Sequence, residues 1–501
     1  MLKGDLVKLK PKYVQISSGG PLIAILNLKD CEENDIHRGD RIQLSYGSKS
    51  VVAIVDTTID DSFIAKGEIG LTYELSKKIK SKQKINVELV EKPYSLKYIK
   101  EKLDGKELNK KEIYAIIKDI VDNKLSEVEV AYFAAAGYVN HFTFEETVAL
   151  TEAMVNTGSI LKLKSKIVVD KHCIGGVAGN RTTMVIVPIL ASLGLIIPKT
   201  SSRSITSPAG TADTMEVLAK VDLDLKGVKR VVEKTNGCIV WGGALSLAPA
   251  DDVIIRVEHP LGIDAVGQMI ASVLAKKKSV SSTHVLIDIP YGKGSKVPDL
   301  RQAKKLAKLF VDVGTKIGLK IKVVFTNGKE PIGNGIGPAL EARDVLYVLM
   351  NHEKQPLDLR EKALMLAGQI IELATRRKNG YALAKKALDS GLAYQKMVEI
   401  IKAQGKRAIT PDEISLSRYH FDIKASKSGR LTYLNNRLIS ELALVAGAPK
   451  DKQAGLYLFK HTKQKIVKGE PLFRIYAENP RKLSFAKEFY ERNKKHFAEI
   501  K

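Results

Sequence analysis

Two polar loops, each placed between a predicted strand and a predicted helix, constrain the fold of this chain most strongly. The first, 170–180, follows the apolar run 166–169 and has glycines at 175, 176 and 179. The second, 201–213, follows the run 196–200 and holds six hydroxyl side chains, one arginine and one glycine. Repeated strand–loop–helix units predict a parallel α/β sheet. Such loops leave the sheet at one edge, where α/β proteins bind ligands.

The composition of the two loops is typical of an anion site. A glycine-rich turn between a strand and a helix directs backbone N–H groups and a helix N-terminus towards an anion. Lys171 is predicted at the end of its strand, over that anion, although a tight turn with a solvated lysine is an alternative. Neither GxxxxGK[ST] nor GxGxxG is matched. The polar residues that could converge on one anion are Lys171, Ser201, Ser202, Arg203, Ser207 and Thr211.

The hydrophobic pattern divides the chain into four parts, which together predict a multidomain α/β protein. Short alternating runs indicate strands at the N-terminus, and three capping boxes, at Asn109, Ser126 and Thr143, announce helices after it. The predicted parts are an N-terminal small β-barrel domain at 1–92, a helical lobe at 93–165 plus about 249–279, a central α/β sheet lobe at 166–248 plus 280–410, and a C-terminal α+β domain at 411–501.

The length and charge limit the classes of protein that this chain can be. Its 501 residues exceed a single hydrophobic core, and its formal net charge is +25. That charge is compatible with a lysine-rich solvated surface, with attraction of an anionic substrate or with nucleic-acid binding. No basic arm interleaved with aromatic residues is present in the sequence, which disfavours nucleic acid as a partner.

The cysteine spacing and the apolar runs point to a cytoplasmic protein. Cys31, Cys173 and Cys238 have no CxxC spacing, so neither a disulfide framework nor a zinc site is expected. The chain begins directly in folded-looking sequence without a signal-peptide pattern. The longest apolar run, 184–198, is interrupted by Pro188 and is too short to span a membrane. We expect no membrane association, no metal and no cofactor.

One carboxylate stands out in a segment predicted to be helical from about 260 to 278. Asp264 lies among the apolar residues Leu261, Ile263, Ala265 and Val266. A carboxylate in such surroundings would have a raised pKa and could serve as a general acid. The alternative is an aspartate that caps the helix or lies in its first turn.

The two loops resemble the signature of the thymidine phosphorylase family. That family carries a Lys-His-Ser-x-Gly-Gly phosphate loop, which stands here at 171–176 with Cys173 for Ser. Its second motif, Ser-x-Arg-x-Leu-x-x-Thr/Ser-x-Gly-Thr-x-Asp, stands here at 201–213 with Ile205 for Leu and Pro208 for Thr/Ser. The archaeal AMP phosphorylase branch is the closer match, because its run Ser-Arg-Ala-Ile-Thr-Ser-Pro-Ala-Gly-Thr-Ala-Asp-Thr-Met-Glu is found at 202–216 with Ser204 for Ala. The resemblance covers the whole chain.

The resemblance implies an enzyme that phosphorolyses nucleoside 5′-monophosphates in nucleotide salvage. AMP and phosphate would give adenine and ribose 1,5-bisphosphate, and CMP and UMP are alternative substrates. Asp264 matches the family's proton donor, and Lys171, Ser201 and Thr211 match the residues that hold the attacking phosphate. Arg203 and Lys296 are both candidates for the 5′-phosphate. The positions that match nucleotide contacts are Gly176, Ser202, Arg203, Ser204, Ile205, Thr206, Ser207, Thr211, Ser272 and Lys296.

Two departures from the family pattern matter for function. Cys173 replaces the usual serine of the phosphate loop, and a thiol is a larger and weaker donor. Either this protein binds phosphate more weakly than family members with serine do, or backbone N–H groups form most of the hydrogen bonds to phosphate. Val257 falls where pyrimidine nucleoside phosphorylases have a base-reading arginine, which argues against thymidine as the substrate. Lys276 does match a lysine of the family.

Two other functions stay open on the sequence alone. A phosphorylase of unphosphorylated pyrimidine nucleosides would need no 5′-phosphate site, and Lys296 is the residue that tests this. A nucleic-acid-binding or scaffold protein would use the +25 charge and bind polynucleotides in a salt-sensitive way. The resemblance further implies a homodimer through the helical lobe or a larger homo-oligomer. It also implies closure of the two lobes, because Asp264 and Ser272 belong to a different lobe from the phosphate loops.

Overall fold

The computed structural model describes residues 7–204 and 207–501. The chain forms two compact units. The first comprises Met1–Gly158 and Ala248–Ala275, and the second comprises Ser159–Leu247 and Lys276–Lys501. Each unit has hydrophobic cores of its own.

A closed six-stranded barrel opens the first unit, as the alternating pattern predicted. Its strands are β1 Val7–Tyr13, β2 Ile23–Asn27, β3 Arg41–Tyr46, β4 Lys49–Thr58, β5 Glu68–Leu71 and β6 Ile85–Leu89, in the order β1-β5-β2-β4-β3-β6. Two short helices, α1 Leu28–Glu33 and α2 Tyr73–Lys78, connect strands. Inward side chains such as Leu26, Ile42 and Leu44 are fully buried, because alternate residues of a strand face the same side.

Four helices follow in the first unit: α3 Ser95–Leu103, α4 Lys110–Val121, α5 Glu127–Val139 and α6 Phe144–Asn156. The three predicted capping boxes are present, at Asn109, Ser126 and Thr143. Each satisfies backbone N–H groups that have no partner within the helix. The apolar faces of these helices, including Ile113 and Ile117, pack into one core.

The second unit begins with alternating strands and helices, which are β7 Val169–Cys173, α7 Thr182–Ser192, β8 Ile197–Ser201, α8 Thr211–Leu218, α9 Leu225–Thr235 and β9 Gly237–Trp241. Strand β7 starts later than the sequence predicted. It includes four polar residues that we expected in the loop, because their backbone is hydrogen-bonded within the sheet.

Two helices contribute to the first unit next: α10 Pro249–Leu261 and α11 Val266–Ser279. The single predicted helix from about 260 to 278 is therefore divided. Gly262 adopts a left-handed conformation, with φ of 63°, and ends α10, as glycine does at helix C-termini. The last four residues of α11 belong to the second unit.

The remaining α/β elements are β10 His284–Tyr291, α12 Leu300–Lys316, β11 Lys320–Asn327, β12 Gly335–Ile336, α13 Pro338–Leu349, α14 Leu357–Thr375, α15 Gly380–Asp389 and α16 Leu392–Ala403. Strands β11, β10 and β7 pair in that order, and β8 pairs with β9, all in parallel. A parallel bridge between Val168 and Ile196 joins the two sets. The loops after β7 and β8 therefore leave the sheet at the same edge.

The C-terminal part of the second unit is an α+β arrangement, as predicted. Its elements are β13 Tyr419–Lys424, β14 Gly429–Leu434, α17 Asn436–Ala446, β15 Gly455–Leu458, β16 Lys465–Ile466, β17 Pro471–Ala477, α18 Pro480–Phe497 and β18 Ala498–Ile500. The strands form two sheets, in the orders β12-β15-β17-β13 and β16-β14-β18. Because β12 belongs to the first of these sheets, strand pairing attaches this part to the α/β elements.

Candidate active site

Strand β7 carries polar side chains on both of its faces. Successive side chains of a strand point to opposite sides, so Lys171 and Cys173 lie on one side, and Asp170 and His172 on the other. The strand pairs with β10 as far as Cys173, which lies opposite Asp288. Lys171 is therefore within the sheet and 1% exposed. It lies in the middle of the strand, not at the strand's end, where the sequence placed it.

On one side of β7, Lys171 and Lys362 flank the carboxylate of Asp288, and we call these three residues the Asp288 cluster. The Nζ atoms of Lys171 and Lys362 lie 3.5 Å and 3.4 Å from Asp288 Oδ2. Thr326 donates to Asp288 Oδ1 at 2.6 Å, and Lys171 donates to Thr182 Oγ1 at 3.1 Å. Burial would raise the pKa of Asp288, but the two lysines and Thr326 together hold it below its usual value.

On the other side of β7, Asp170 is shared by Lys199 and Lys277, and these three residues are called the Asp170 cluster. Lys277 Nζ lies 2.9 Å from Asp170 Oδ2, and Lys199 Nζ lies 3.7 Å from Oδ1. Lys199 also donates to the carbonyl oxygen of Thr200 at 2.6 Å. Burial lowers the pKa of Lys199 to about 7, and repulsion from Lys277 contributes. Burial and the neighbouring lysines also hold the pKa of His172 well below its usual range.

The glycine-rich loop after β7 approaches a second basic loop. Gly175, Gly176 and Gly179 have φ of 93°, 83° and 72°, a conformation that favours glycine. A side chain at Gly176 would collide with the backbone nitrogen of Lys296. Gly176 and Lys296, both predicted nucleotide contacts, are thus brought together, and the side chain of Lys296 is exposed.

The hydroxyl-rich loop after β8 is closed by a carboxylate from the first turn of α8. Asp213 accepts hydrogen bonds from the backbone nitrogens of Ser204 at 2.7 Å and Gly210 at 2.9 Å. Ser201 ends β8 and Thr211 begins α8, so these two predicted phosphate contacts lie at the two ends of the loop. Ser202 and Ser207 are exposed. Ile205 and Thr206 lie outside the described residues.

Within this loop the guanidinium of Arg203 is bound by acidic side chains. It donates to Glu216 at 2.6 and 2.8 Å and to Asp222 at 3.2 and 3.3 Å, and it lies 5.0 Å from the ring centroid of Trp241. The hydrogen bond from Arg203 lowers the pKa of Glu216 to about 2. Lys452, from the C-terminal part, lies 3.0 Å from the same carboxylate. The charge of Arg203 is therefore already used within the protein.

Arg181, which the sequence reasoning missed, joins the two loops. It donates to Thr211 Oγ1 at 3.0 Å and to the carbonyl oxygen of Ala209 at 2.7 Å, and it also pairs with Glu341. Arg181 directly follows the glycine-rich loop. The sequence signal that could have identified Arg181 is its position one residue before α7. A basic residue at that position lies at the same sheet edge as the second loop.

The first unit holds the other two predicted site residues. Asp264 lies in the segment between α10 and α11 and is exposed. The expectation that its apolar neighbours would surround it is wrong, because Asp264 itself is exposed. Ala265 is buried, but Leu261 and Val266 are 54% and 48% exposed. Ser272, on α11, donates to Asp251 Oδ2 at 2.8 Å. Apolar neighbours in the sequence therefore do not place Asp264 in an apolar pocket.

The two departures from the family pattern have distinct surroundings. Burial and the Asp288 carboxylate raise the pKa of the Cys173 thiol, so the thiol is neutral at pH 7. Asn180 donates to Cys173 Sγ at 3.3 Å. Val257 is 8% exposed and packs in the core of the helices of the first unit.

The described part of the chain contains neither a group of metal ligands nor a helix suited to span a membrane. Within residues 7–204 and 207–501, no group of three or more His, Cys, Asp or Glu residues is placed to hold a metal ion. Over the same ranges, no helix combines the length and the apolar composition that crossing a bilayer requires.

Three family models match successive parts of the chain. The helical bundle domain of a glycosyl transferase family matches residues 96–158, and the a/b domain of that family matches 165–394. The pyrimidine nucleoside phosphorylase C-terminal domain matches 430–495. Among solved structures, an anthranilate phosphoribosyltransferase from Thermus thermophilus aligns with a TM-score of 0.51 at 18% identity, over 61% of this chain and 98% of that one. That likeness concerns the fold alone.

Sequence relatives extend over nearly the whole chain. An AMP phosphorylase from Thermofilum pendens is 43% identical, over 97% of this chain and 94% of the relative. An AMP phosphorylase from Thermococcus kodakarensis is 42% identical, over 96% and 95% respectively. The fold and the family models thus define a glycosyl transferase with a helical bundle domain and an α/β domain. The chain belongs to the family that includes the AMP phosphorylases.

Proposed function

We propose that this protein phosphorolyses nucleoside 5′-monophosphates, converting AMP and phosphate into adenine and ribose 1,5-bisphosphate in nucleotide salvage. The observation that carries the proposal is the 43% identity to an AMP phosphorylase along 97% of the chain. The junction of the two polar loops through Arg181 supports it, because one anion can then meet residues of both loops. CMP and UMP are further candidate substrates.

We assign the attacking phosphate to Lys171, Ser201 and Thr211. Hydroxyl and ammonium donors fixed in advance around an anion stabilise the charge that develops opposite it. The glycosidic bond breaks through an oxocarbenium-like state, so a phosphate oxygen held near the anomeric carbon is both nucleophile and counter-charge. The new C–O bond to phosphate forms as the C–N bond to adenine breaks.

We assign the nucleotide to the remaining loop residues and to Ser272. The proposed contacts are Gly176, Ser202, Arg203, Ser204, Ile205, Thr206, Ser207, Thr211, Ser272 and Lys296. For the 5′-phosphate we favour the side chain of Lys296 over that of Arg203. The guanidinium of Arg203 is already bound by Glu216 and Asp222, so its role is to shape the loop.

We assign proton donation to Asp264. The electron pair of the breaking C–N bond goes to the adenine ring, and a proton from the carboxylic acid neutralises it there. General-acid help of this kind contributes roughly two to four orders of magnitude in rate. The assignment rests on the position of Asp264 in the family pattern.

The decisive experiment incubates the protein with phosphate and AMP, CMP, UMP or thymidine, and measures the free base. We expect adenine from AMP only when phosphate is present. Base released from thymidine but not from AMP would support the alternative, a pyrimidine nucleoside phosphorylase. The match of residues 430–495 to the C-terminal domain of such enzymes is the reason to test it. Asp264→Asn should abolish release from every accepted substrate, and full activity in that variant would remove its assigned role.

A substitution at the basic loop separates the two candidate substrates. We expect Lys296→Ala to raise KM for AMP roughly tenfold or more, because a charged hydrogen bond to the 5′-phosphate is lost. Lys293→Ala, in the same exposed loop, is the matched control.

From the family resemblance we also propose a homodimer or larger homo-oligomer in the cytoplasm, without nucleic acid as a partner.

A further inference from the structure

The two sides of β7 carry the same set of charged residues, two lysines and one aspartate. The hydrogen bonds and ion pairs that these residues form differ between the two sides. In the Asp170 cluster, Lys277 lies 2.9 Å from the carboxylate, and Lys199 donates to a carbonyl oxygen. In the Asp288 cluster, both ammonium groups stay 3.4 to 3.5 Å from one carboxylate oxygen. Buried charges normally have close hydrogen-bonding partners. Among the described residues, Oδ2 of each aspartate accepts no hydrogen bond, and the Asp288 cluster differs in that the Nζ of Lys362 has no acceptor either.

Lys362 is the least satisfied group of the Asp288 cluster. Its side chain, on α14, is 9% exposed, and among the described residues its Nζ has no hydrogen-bond acceptor. An ammonium group carries three donors, and leaving them unpaired in the interior is costly. Among the described residues its one ionic contact is Asp288, which Lys171 also contacts. Two ammonium groups thus face one carboxylate, and the cluster carries one uncompensated positive charge.

The uncompensated charge lies next to the phosphate loop. Cys173, the loop's third residue, lies beside Asp288 across the strand pair, and Lys171 and Lys362 both act electrostatically on its thiol. Lys171 donates to Thr182, Thr182 donates to Asn180 at 3.1 Å, and Asn180 donates to Cys173. The cluster is thus continuous with the end of the loop and the start of α7, where anions bind.

We propose that Lys362 is a positioning residue of the phosphate subsite, which pairs with Asp288 and thereby leaves the ammonium group of Lys171 available to the attacking phosphate. This inference rests on the proposed function, because it takes the anion to be phosphate. Without Lys362, Asp288 and Lys171 would form a one-to-one pair with no net charge. Lys171 would then be drawn towards Asp288, and its attraction for phosphate would fall.

The test is calorimetric titration of inorganic phosphate into the free protein. Lys362→Met should weaken phosphate binding by at least about tenfold, as expected for a charge that water screens poorly. Lys362→Arg, which keeps the charge, should stay within about threefold of the wild type. In Lys362→Met/Asp288→Asn the net charge is restored, so we expect phosphate affinity to return to within a few-fold of the wild type.

Lys322→Met is the matched control. Lys322 lies on the neighbouring strand β11 and pairs with Glu372 of the same helix α14 at 3.8 Å. The substitution therefore removes a lysine–carboxylate contact to α14 that lies outside the cluster and is more exposed. Its phosphate affinity should equal that of the wild type.

Three outcomes would overturn the proposal. One is unchanged phosphate affinity in a folded Lys362→Met protein. Another is a double variant as weak as Lys362→Met, because a direct bond from Lys362 to phosphate would give that result. The third is a wild-type protein that binds no phosphate. If the variants behave as expected but AMP yields no adenine, the proposed function fails and the role of Lys362 stands.

Discussion

The two faces of strand β7 contain the same charged groups and differ in how completely the protein satisfies them. Facing one way, Asp170 is contacted closely by Lys277, and Lys199 has a pKa of about 7 that allows it to lose its proton. Facing the other way, Lys171 and Lys362 share Asp288 at 3.5 and 3.4 Å, and neither comes as close to its carboxylate as Lys277 does. We propose that the Asp288 cluster is arranged for a ligand, and we expect the Asp170 cluster to have a structural role.

The largest expected effect comes from substituting one lysine on each face. Lys171→Met should lower kcat/KM for AMP phosphorolysis by roughly 10²- to 10³-fold, because a preorganised charge at the phosphate is lost. Lys199→Met, on the opposite face, should keep kcat/KM within about threefold. Steady-state kinetics with varied phosphate measures both. Equal losses of activity in the two variants would remove the functional distinction between the faces.

The next effect is a loss of stability on the Asp170 face. Asp170→Asn leaves Lys277 buried without its carboxylate, which should lower the free energy of unfolding by about 3 kcal/mol. Urea titration followed by circular dichroism measures this change. Glu233→Gln is the control, since Glu233 forms an exposed pair with Lys229 at 3.9 Å and exposed pairs contribute at most about 1 kcal/mol.

The pKa of Lys199 predicts how stability depends on pH. In the unfolded chain this lysine keeps its usual pKa of about 10.4, whereas burial lowers it to about 7 in the folded protein. Between these values the unfolded chain binds more protons, so stability must rise with pH. The wild type should therefore gain stability relative to Lys199→Met as pH rises from 7 to 10, as measured by unfolding midpoints. A constant difference across that range would contradict the assignment.

The smallest effect is expected at Cys173. Cys173→Ser replaces a weak donor by a stronger one at the start of the phosphate loop, and we expect KM for phosphate to fall by roughly two- to threefold. Phosphate-dependent kinetics at saturating AMP measures it. An unchanged KM would show that this side chain does not contact phosphate.

Much of the fold could be predicted because its signals are local. The capping boxes at Asn109, Ser126 and Thr143 are short-range patterns, and each begins a helix in the structure. The barrel followed from alternation between apolar and polar residues. The extent of β7 was missed, because its polar residues look like a loop until their pairing with β10 is known.

The candidate site was predictable to the level of its loops. Sequence motifs placed both loops, but the roles of Arg181 and Lys362 depend on partners 30 and 74 residues away, Thr211 and Asp288. The predicted surroundings of Asp264 were wrong for a similar reason. Apolar neighbours in sequence surround a carboxylate only if they are themselves buried, and Leu261 and Val266 are not.

The sequence by itself determined the N-terminal barrel, the helices that follow it, the positions of the two polar loops and the family to which the chain belongs, since these depend on periodicity and on contiguous motifs. Only the tertiary structure decided which face of β7 each lysine occupies and which carboxylate it meets. Side-chain alternation divides residues 170–173 between two faces. The partners on each face, Lys199 and Lys277 on one and Asp288 and Lys362 on the other, come from distant elements that folding brings together.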